Sequence, residues 1–198
     1  MSSTSRDAMK SIKIYAHVSA TPEQFAQQLG GEVSTAADPE CDVAIFAINP
    51  GAGIDNNTID LWRQFDEYQT PRMVLVTVLE GMEMDFDDAV LVANRVFDPV
   101  VTPYLVLHGE NGAPIGTVSL EDLSTKDYST QPPTEGTCDS ELTELVKDFQ
   151  EEYRDHMMEM EDGAFAAGIL FPALPVNLAN GLGLDLVKNY LDQLPSRS

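Results

Sequence analysis

Residues 42–49, DVAIFAIN, and 72–79, RMVLVTVL, are short and almost uninterrupted apolar runs. A strand with one wet face alternates apolar and polar side chains. A strand covered on both faces has no polar side to show, and that is the pattern of parallel strands lying beneath helices. Between the two runs, Leu61, Trp62, Phe65 and Tyr68 recur at three-to-four spacing, one face of a helix, after the loop Pro50-Gly51-Ala52-Gly53. Strand, loop, helix and strand in that order make the unit from which a parallel sheet is built.

The same alternation extends in both directions. Upstream, Ile12, Ile14, Ala16 and Val18 show the period of two that marks a strand. Thr21-Pro22-Glu23-Gln24 then reads as a helix start, with threonine as N-cap, proline at the first helical position, an acid in the first turn and glutamine three residues after the cap. That helix is expected to end at Gly30-Gly31. Downstream, a helix over 85–97 leads to a strand at 104–108, and Asn111-Gly112 before residues 114–120 predicts a hairpin, since Asn-Gly supplies the positive φ a tight turn needs. Leu142, Leu145, Val146, Phe149, Tyr153, Met157 and Met160 mark one face of a long helix. Residues 168–174 are expected as the last strand, and Leu184, Leu186, Val187, Tyr190, Leu191 and Leu194 as a final helix stopped by Pro195. The expected fold is α/β: three layers, a doubly wound, mainly parallel sheet with helices on both sides. Residues 1–9 read as a flexible N-terminus, 10–196 as one domain, and 124–139, rich in Ser, Thr and Pro, as a flexible insert.

Composition narrows the function. Eleven basic and 33 acidic residues give a net charge of −22 in 198 residues, a field that repels nucleic-acid phosphates and anionic lipid surfaces. Hydrophobic residues make up 43%, enough for a packed core rather than a disordered chain. The first ten residues lack the apolar segment of a signal peptide, and no apolar run approaches the roughly 18 residues of a membrane helix. With only Cys41 and Cys138, in unlike contexts, neither a disulfide framework nor a zinc site is indicated, so a reducing, cytoplasmic setting is expected.

Three blocks carry a family likeness: residues 12–18, IKIYAHV; residues 42–76, DVAIFAINPGAGIDNNTIDLWRQFDEYQTPRMVLV; and the closing helix through LDQLPS. Together they resemble the GTPase domain of bacterial elongation factor G. The middle block is the most specific, with its small-residue turn, its Trp-Arg-Gln on a helix and its Pro-Arg entering the next strand. The resemblance implies a P-loop NTPase-like scaffold. It also implies a phosphate loop of the form Ala-His-(Ile/Val)-Asp-Ala-Gly-Lys-Thr, where the glycine admits phosphate to backbone amides, the lysine neutralises it and the threonine holds magnesium.

This sequence reads Ala16-His17-Val18-Ser19-Ala20-Thr21-Pro22-Glu23 instead. Pro22, with neither charge nor N–H, stands at the lysine position, and the anion Glu23 stands at the magnesium hydroxyl. The short stretch from Gly31 to Asp42 leaves no room for the family's first switch loop or its Asp-Thr-Pro-Gly-His segment, so nothing would position an attacking water. The guanine-reading Asn-Lys-x-Asp aligns with Thr77-Val78-Leu79-Glu80, which keeps only a carboxylate. The closing Ser-Ala pair falls at Pro175-Val176-Asn177, without the hydroxyl.

Other candidates are weaker. Gly51-x-Gly53 and Gly181-x-Gly183 do not extend to G-x-G-x-x-G and read as turns. His17, His108 and His156 are scattered, and Glu83, Asp85, Asp87 and Asp88 lack the glycine and terminal glutamate of an EF-hand, so they read as a solvated helix start. Met157, Met158 and Met160 read as helix core more than as an adaptable binding face. No G-x-S-x-G elbow exists, and Cys41 has no nucleophile signature.

The expectation is therefore a pseudo-GTPase: no hydrolysis, no cofactor, no metal, and action through a protein partner. Two alternatives stay open, a divergent nucleotide-binding factor with a rebuilt pocket, and an acidic decoy for a basic translation component.

Overall fold

A computed structural model describes residues 9–81 and 84–195; residues 1–8 of the expected flexible N-terminus lie outside it. In chain order the elements are β1 (Ile12–Ala16), α1 (Pro22–Leu29), β2 (Glu32–Val33), β3 (Val43–Ile48), α2 (Asn56–Arg63), β4 (Arg72–Thr77), α3 (Phe86–Val96), β5 (Tyr104–His108), β6 (Pro114–Ser119), β7 (Ser124–Asp127), β8 (Thr134–Thr137), α4 (Ser140–Met158), β9 (Ala173–Val176) and α5 (Leu184–Asp192).

The two apolar runs become neighbouring parallel strands, Ile45 opposite Met73 and Phe46 opposite Val74. They sit at the centre of a five-stranded parallel sheet ordered β2-β1-β3-β4-β9. Every residue of β3 is buried, because successive side chains feed opposite faces. Val43, Ile45 and Ala47 join Phe25 and Leu29 of α1 and Val187 and Leu191 of α5. Ala44, Phe46 and Ile48 join Leu61 and Trp62 of α2 and Ala89 and Ala93 of α3. Helices therefore cover both faces, as the continuous apolar runs require.

The remaining strands form a separate antiparallel sheet in the order β5-β6-β7-β8, which the expectation of one mainly parallel sheet does not contain. The Asn111-Gly112 hairpin is present, with Gly112 at φ 79°. Residues 124–139, expected as a flexible insert, hold β7 and β8. Their Ser and Thr side chains suit a strand once a partner strand supplies the ladder, and Tyr128 anchors the segment, 3% exposed. α4 also differs from its expected face: Val146 and Gln150 are buried, while Leu145 and Phe149 are 74% and 45% exposed. Val146 is the one buried apolar residue of α4, set against Leu105 and Leu120, with Leu142 and Tyr153 partly buried beside it, a contact too small to cover the full apolar stripe. The last strand begins later than the expected 168–174, at Ala173; ahead of it Pro172 joins the sheet through its bridge to Val101 and by accepting from the Val74 amide at 2.9 Å.

Two polar interactions hold these parts together. Arg72 opens β4 almost wholly buried; its guanidinium lies 4.5 Å from the Trp62 ring and 4.4 Å from that of Phe171. It donates to the Trp62 carbonyl at 3.1 Å and to Asp66 at 2.8 Å, and Trp62 Nε1 donates to Asp98 at 2.9 Å. At the other junction, Asp185 at the start of α5 accepts from Lys126 Nζ at 2.7 Å and from the Tyr128 hydroxyl at 2.6 Å. Burial pushes the Asp185 carboxyl upward, but these two donors outweigh it and hold the group below the usual carboxylate range.

Replacing Arg72 with lysine keeps the charge and loses the planar stack. The half-exposed carboxylates screen the ion-pair part, so the expected cost is about 2 kcal/mol, mostly from stacking, measured by urea unfolding. Asp185→Asn is expected to cost about 1 kcal/mol at neutral pH after screening. A depressed folded value means that this contribution is present above the unfolded carboxylate value of about 3.9 and is lost as pH falls through the folded one. The gap between wild type and Asp185→Asn should therefore close below about pH 4 in a series of unfolding curves.

Candidate functional site

In a parallel sheet the strand C-termini lie along one edge, where ligands of α/β folds bind. β1, β3, β4 and β9 are adjacent and parallel, so this edge collects the segments singled out from the sequence. Ala16 ends β1, followed by residues 17–23, and Asn49 to Gly53 follows β3. Thr77 ends β4, with Val78, Leu79 and Glu80 after it, and Pro175-Val176-Asn177 closes β9. Leu79 and Glu80 are exposed, and Val78 is tied to β9 by its amide to the Val176 carbonyl at 3.0 Å.

The turn after β1 is closed on itself. Val18–Ala20 forms a short 3-10 turn. The Ser19 amide donates to His17 Nδ1 at 3.2 Å, the Ala20 amide to the His17 carbonyl at 2.9 Å, and the Thr21 amide to the Val18 carbonyl at 3.1 Å. Pro22 has no amide to offer. A loop that cradles phosphate needs several consecutive N–H groups converging on one point outside the chain, and these point inward. The Ser19 hydroxyl lies 2.8 Å from His17 Nδ1.

A second strand end braces the turn. Asn49 Nδ2 donates to the Ser19 carbonyl at 2.9 Å, and Asn49 Oδ1 accepts from the Gly51 amide at 3.0 Å. The small-residue loop after β3 is thus latched to the turn after β1. Between His17, Asn49, Gly53 and Thr58 the remaining space is about 10 Å³, no more than about one water-sized probe. Asn49 was missed in the sequence; its one signal is a polar side chain just past a strand with no other polar residue.

The expected capping box is not formed. Thr21 precedes α1 but lies at φ 51°, ψ 52°, and its side chain makes no cap hydrogen bond. Its carbonyl instead accepts from the Gln24 and Phe25 amides at 3.0 and 3.4 Å. The preceding 3-10 turn sets this conformation, because the chain must reverse before Pro22, whose fixed φ suits the first helical position. Glu23, exposed in the first turn of α1, is placed to favour the positive end of the helix dipole.

The other candidates separate. His17 sits in the turn, His108 ends β5 and His156 lies in the last turn of α4; no cluster of metal-ligating residues occurs among the described residues. Asp85 caps α3 by accepting from the Asp88 amide at 2.9 Å, and Glu83 lies outside the described residues. Gly181 and Gly183 belong to a tight loop in which a Cβ on Gly183 would collide with the Pro175 carbonyl. Met158 is exposed, whereas Met157 and Met160 pack partly on the core. Burial, then Asp38, pushes the Cys41 thiol up to about 12, so the thiolate a nucleophile needs is disfavoured. No helix among the described residues is long and apolar enough to cross a membrane.

A threonine held in the left-handed region without a cap bond is strained by about 1 kcal/mol. Thr21→Gly is expected to stabilise the protein by about that amount, less the entropy glycine loses on folding. Thr21→Ala should be nearly neutral, where a working cap would cost about 1 kcal/mol. Thermal and urea unfolding of both variants distinguish the two.

Comparison with known proteins agrees with this architecture. No family model matches the chain. Two curated relatives, each named elongation factor G-like protein, from Mycobacterium tuberculosis strains CDC 1551 / Oshkosh and ATCC 25618 / H37Rv, are 27% identical over 177 residues, covering 78% of this chain and 24% of theirs. The chain thus spans about a quarter of the length of these relatives. A crystal structure from Thermus thermophilus matches with a TM-score of 0.68 at 22% identity, over 80% of this chain and 27% of that one, a likeness of fold. Over most of its length, then, this chain resembles an elongation factor G-like protein in sequence and shares its fold with the Thermus structure.

Proposed function

We propose that this chain is an elongation factor G-like domain on a doubly wound, P-loop NTPase-type scaffold whose nucleotide site has been rebuilt as a structural turn. It is a pseudo-GTPase, acting through protein contacts in a translation-related setting. The observation that carries this reading is the internal bonding of the Ser19, Ala20 and Thr21 amides. A bound phosphate would have to break those hydrogen bonds and displace the Asn49 latch. It would also have to settle beside the Glu23 carboxylate with no lysine to offset the charge, at a cost of several kcal/mol before any contact forms.

The other positions support the same reading. Thr77 and Glu80 occupy the strand end where the family reads guanine, and neither the asparagine amide nor the lysine stem is there. β2 and the turn to Cys41 fill the interval in which a first switch loop would lie. A scaffold kept while its pocket closes is suited to presenting a surface to a protein partner. The net charge of −22 favours a second reading along the same line, a decoy that engages a basic translation component by long-range attraction. That attraction should fade as salt shortens the Debye length below about 8 Å.

Titration calorimetry with GTP and with GDP, each with magnesium, is expected to give no binding at concentrations up to about 100 μM. A dissociation constant below about 10 μM accompanied by hydrolysis overturns the proposal in favour of a divergent GTPase. The double variant Pro22→Lys, Glu23→Thr should still fail to bind, because His17 and Asn49 continue to occupy the amides and the loop. Binding recovered by that variant would place the defect in those two residues alone.

A further inference from the structure

On the side of the molecule formed by α3, α4 and the start of the antiparallel sheet lies a cavity of about 230 Å³ that shares no residue with the turn after β1. Val90, Val100, Val101, Leu105 and Leu120 form its interior, and Phe149 closes one side. The narrow seating of α4 creates it: Val146 is buried against the sheet, while Phe149, one helical step on, stands 45% exposed beside the opening, facing Leu91 of α3 at 58%. Apolar side chains left in water around a concavity favour an apolar occupant. A dry cavity of about 150 Å³ takes up benzene, so this volume admits one ring carrying a short chain.

The opening carries two carboxylates and one imidazole: Asp87 of α3, and Glu152 and His156 of α4, all line it. Asp87 reaches solvent at its tip, yet surrounding protein partly desolvates it, and this, with Asp85 and Asp88 nearby, pushes its carboxyl above the usual range; only His108 opposes the trend. Asn94, also at the cavity, is already engaged by the Val100 amide at 2.7 Å. Among the described residues the ion pairs leave Asp87 and Glu152 without a lysine or arginine. Two carboxylates beside an apolar hollow, with two imidazoles near them but no lysine or arginine paired to either, are stabilised by a cation brought from outside.

We infer that the cavity between α3 and α4 is a binding site for a small organic cation, a primary amine on a single-ring apolar body. The ring lies against Val90, Val100, Leu105 and Phe149, and the ammonium is held between Asp87 and Glu152. The site is independent of the nucleotide-site reading and stands whether or not GTP binds.

The probes are 2-phenylethylamine, the isosteric neutral 2-phenylethanol and the anion phenylacetate, titrated into the full chain by calorimetry and by amide NMR at low salt. A pH of about 8 keeps ordinary imidazoles neutral. The amine is expected to saturate at about millimolar concentration or below, at least about tenfold tighter than the alcohol, with phenylacetate weaker than both. Shifted amides should map to α3, residues 149–156 and the chain leading into β5. In Asp87→Asn, Glu152→Gln, two exposed positions whose exchange leaves the core intact, the amine should fall to the alcohol's affinity while the alcohol is unchanged. Equal binding of amine and alcohol, amine binding unaltered in the double variant, shifts mapped elsewhere, or no saturable binding of any probe would each overturn the inference.

Discussion

The guanidinium of Arg72, packed against the rings of Trp62 and Phe171, is the contact on which one whole layer of the molecule depends. A buried cation is costly unless its charge is met. Here the charge is met by Asp66 and, at 3.7 Å, by Asp98; the Trp62 carbonyl accepts from the same guanidinium, two aromatic rings set edge to face pack against it, and Nε makes no hydrogen bond to the described residues. These partners come from α2, from the turn after it, from the segment after α3 and from the chain entering β9. Seating one side chain among them thus fixes where α2 and α3 lie on the sheet. The stacked pair Trp62 and Phe97, 4.4 Å apart, and Phe46 beneath them complete an aromatic layer with little freedom to shift.

With that layer set, the C-terminal edge of the sheet has a defined shape, and local hydrogen bonding decides what the edge can do. A helix N-terminus following a strand is a ready place for an anion only while its first amides remain free. Here the amides of Ser19, Ala20 and Thr21, just ahead of the helix, bond to His17 and to the Val18 carbonyl, Pro22 has none to offer, and Asn49 of the next strand end takes the Ser19 carbonyl. The strain at Thr21 is the consequence: a tighter turn that bonds to itself forces a β-branched residue into the left-handed region. A ligand-binding loop and a self-satisfied one differ by a few side chains, not by a different fold.

The second sheet is attached through Asp185 and, more lightly, through Asn180, whose amide donates to the Pro114 carbonyl at 3.2 Å. Because its own core is small, α4 is seated along only part of its apolar stripe. The unmatched remainder forms the wall of the hollow beside α3. The same geometric shortfall explains the exposed Leu145 and Phe149 and the cavity.

Much of this was legible in the sequence. The parallel core was, because full burial erases alternation, and the helices and the Asn111-Gly112 hairpin were, because period and turn chemistry are local properties of the chain. That Pro22 offers neither a charge nor an amide and that Glu23 is an anion could likewise be read by residue type alone. What the sequence could not specify was any partner distant along the chain. Thr21 has the composition of a cap, yet His17 and Asn49 determine that the turn closes differently. Residues 124–139 have the composition of a loop, yet β6 and Asp185 make them strands. Leu145 and Phe149 have the spacing of core residues, yet the sheet beneath α4 is too narrow to reach them. Backbone periodicity follows from sterics within a few residues; the satisfaction of a hydrogen bond, a charge or an apolar face depends on what the fold brings beside it, and only the tertiary structure decided that.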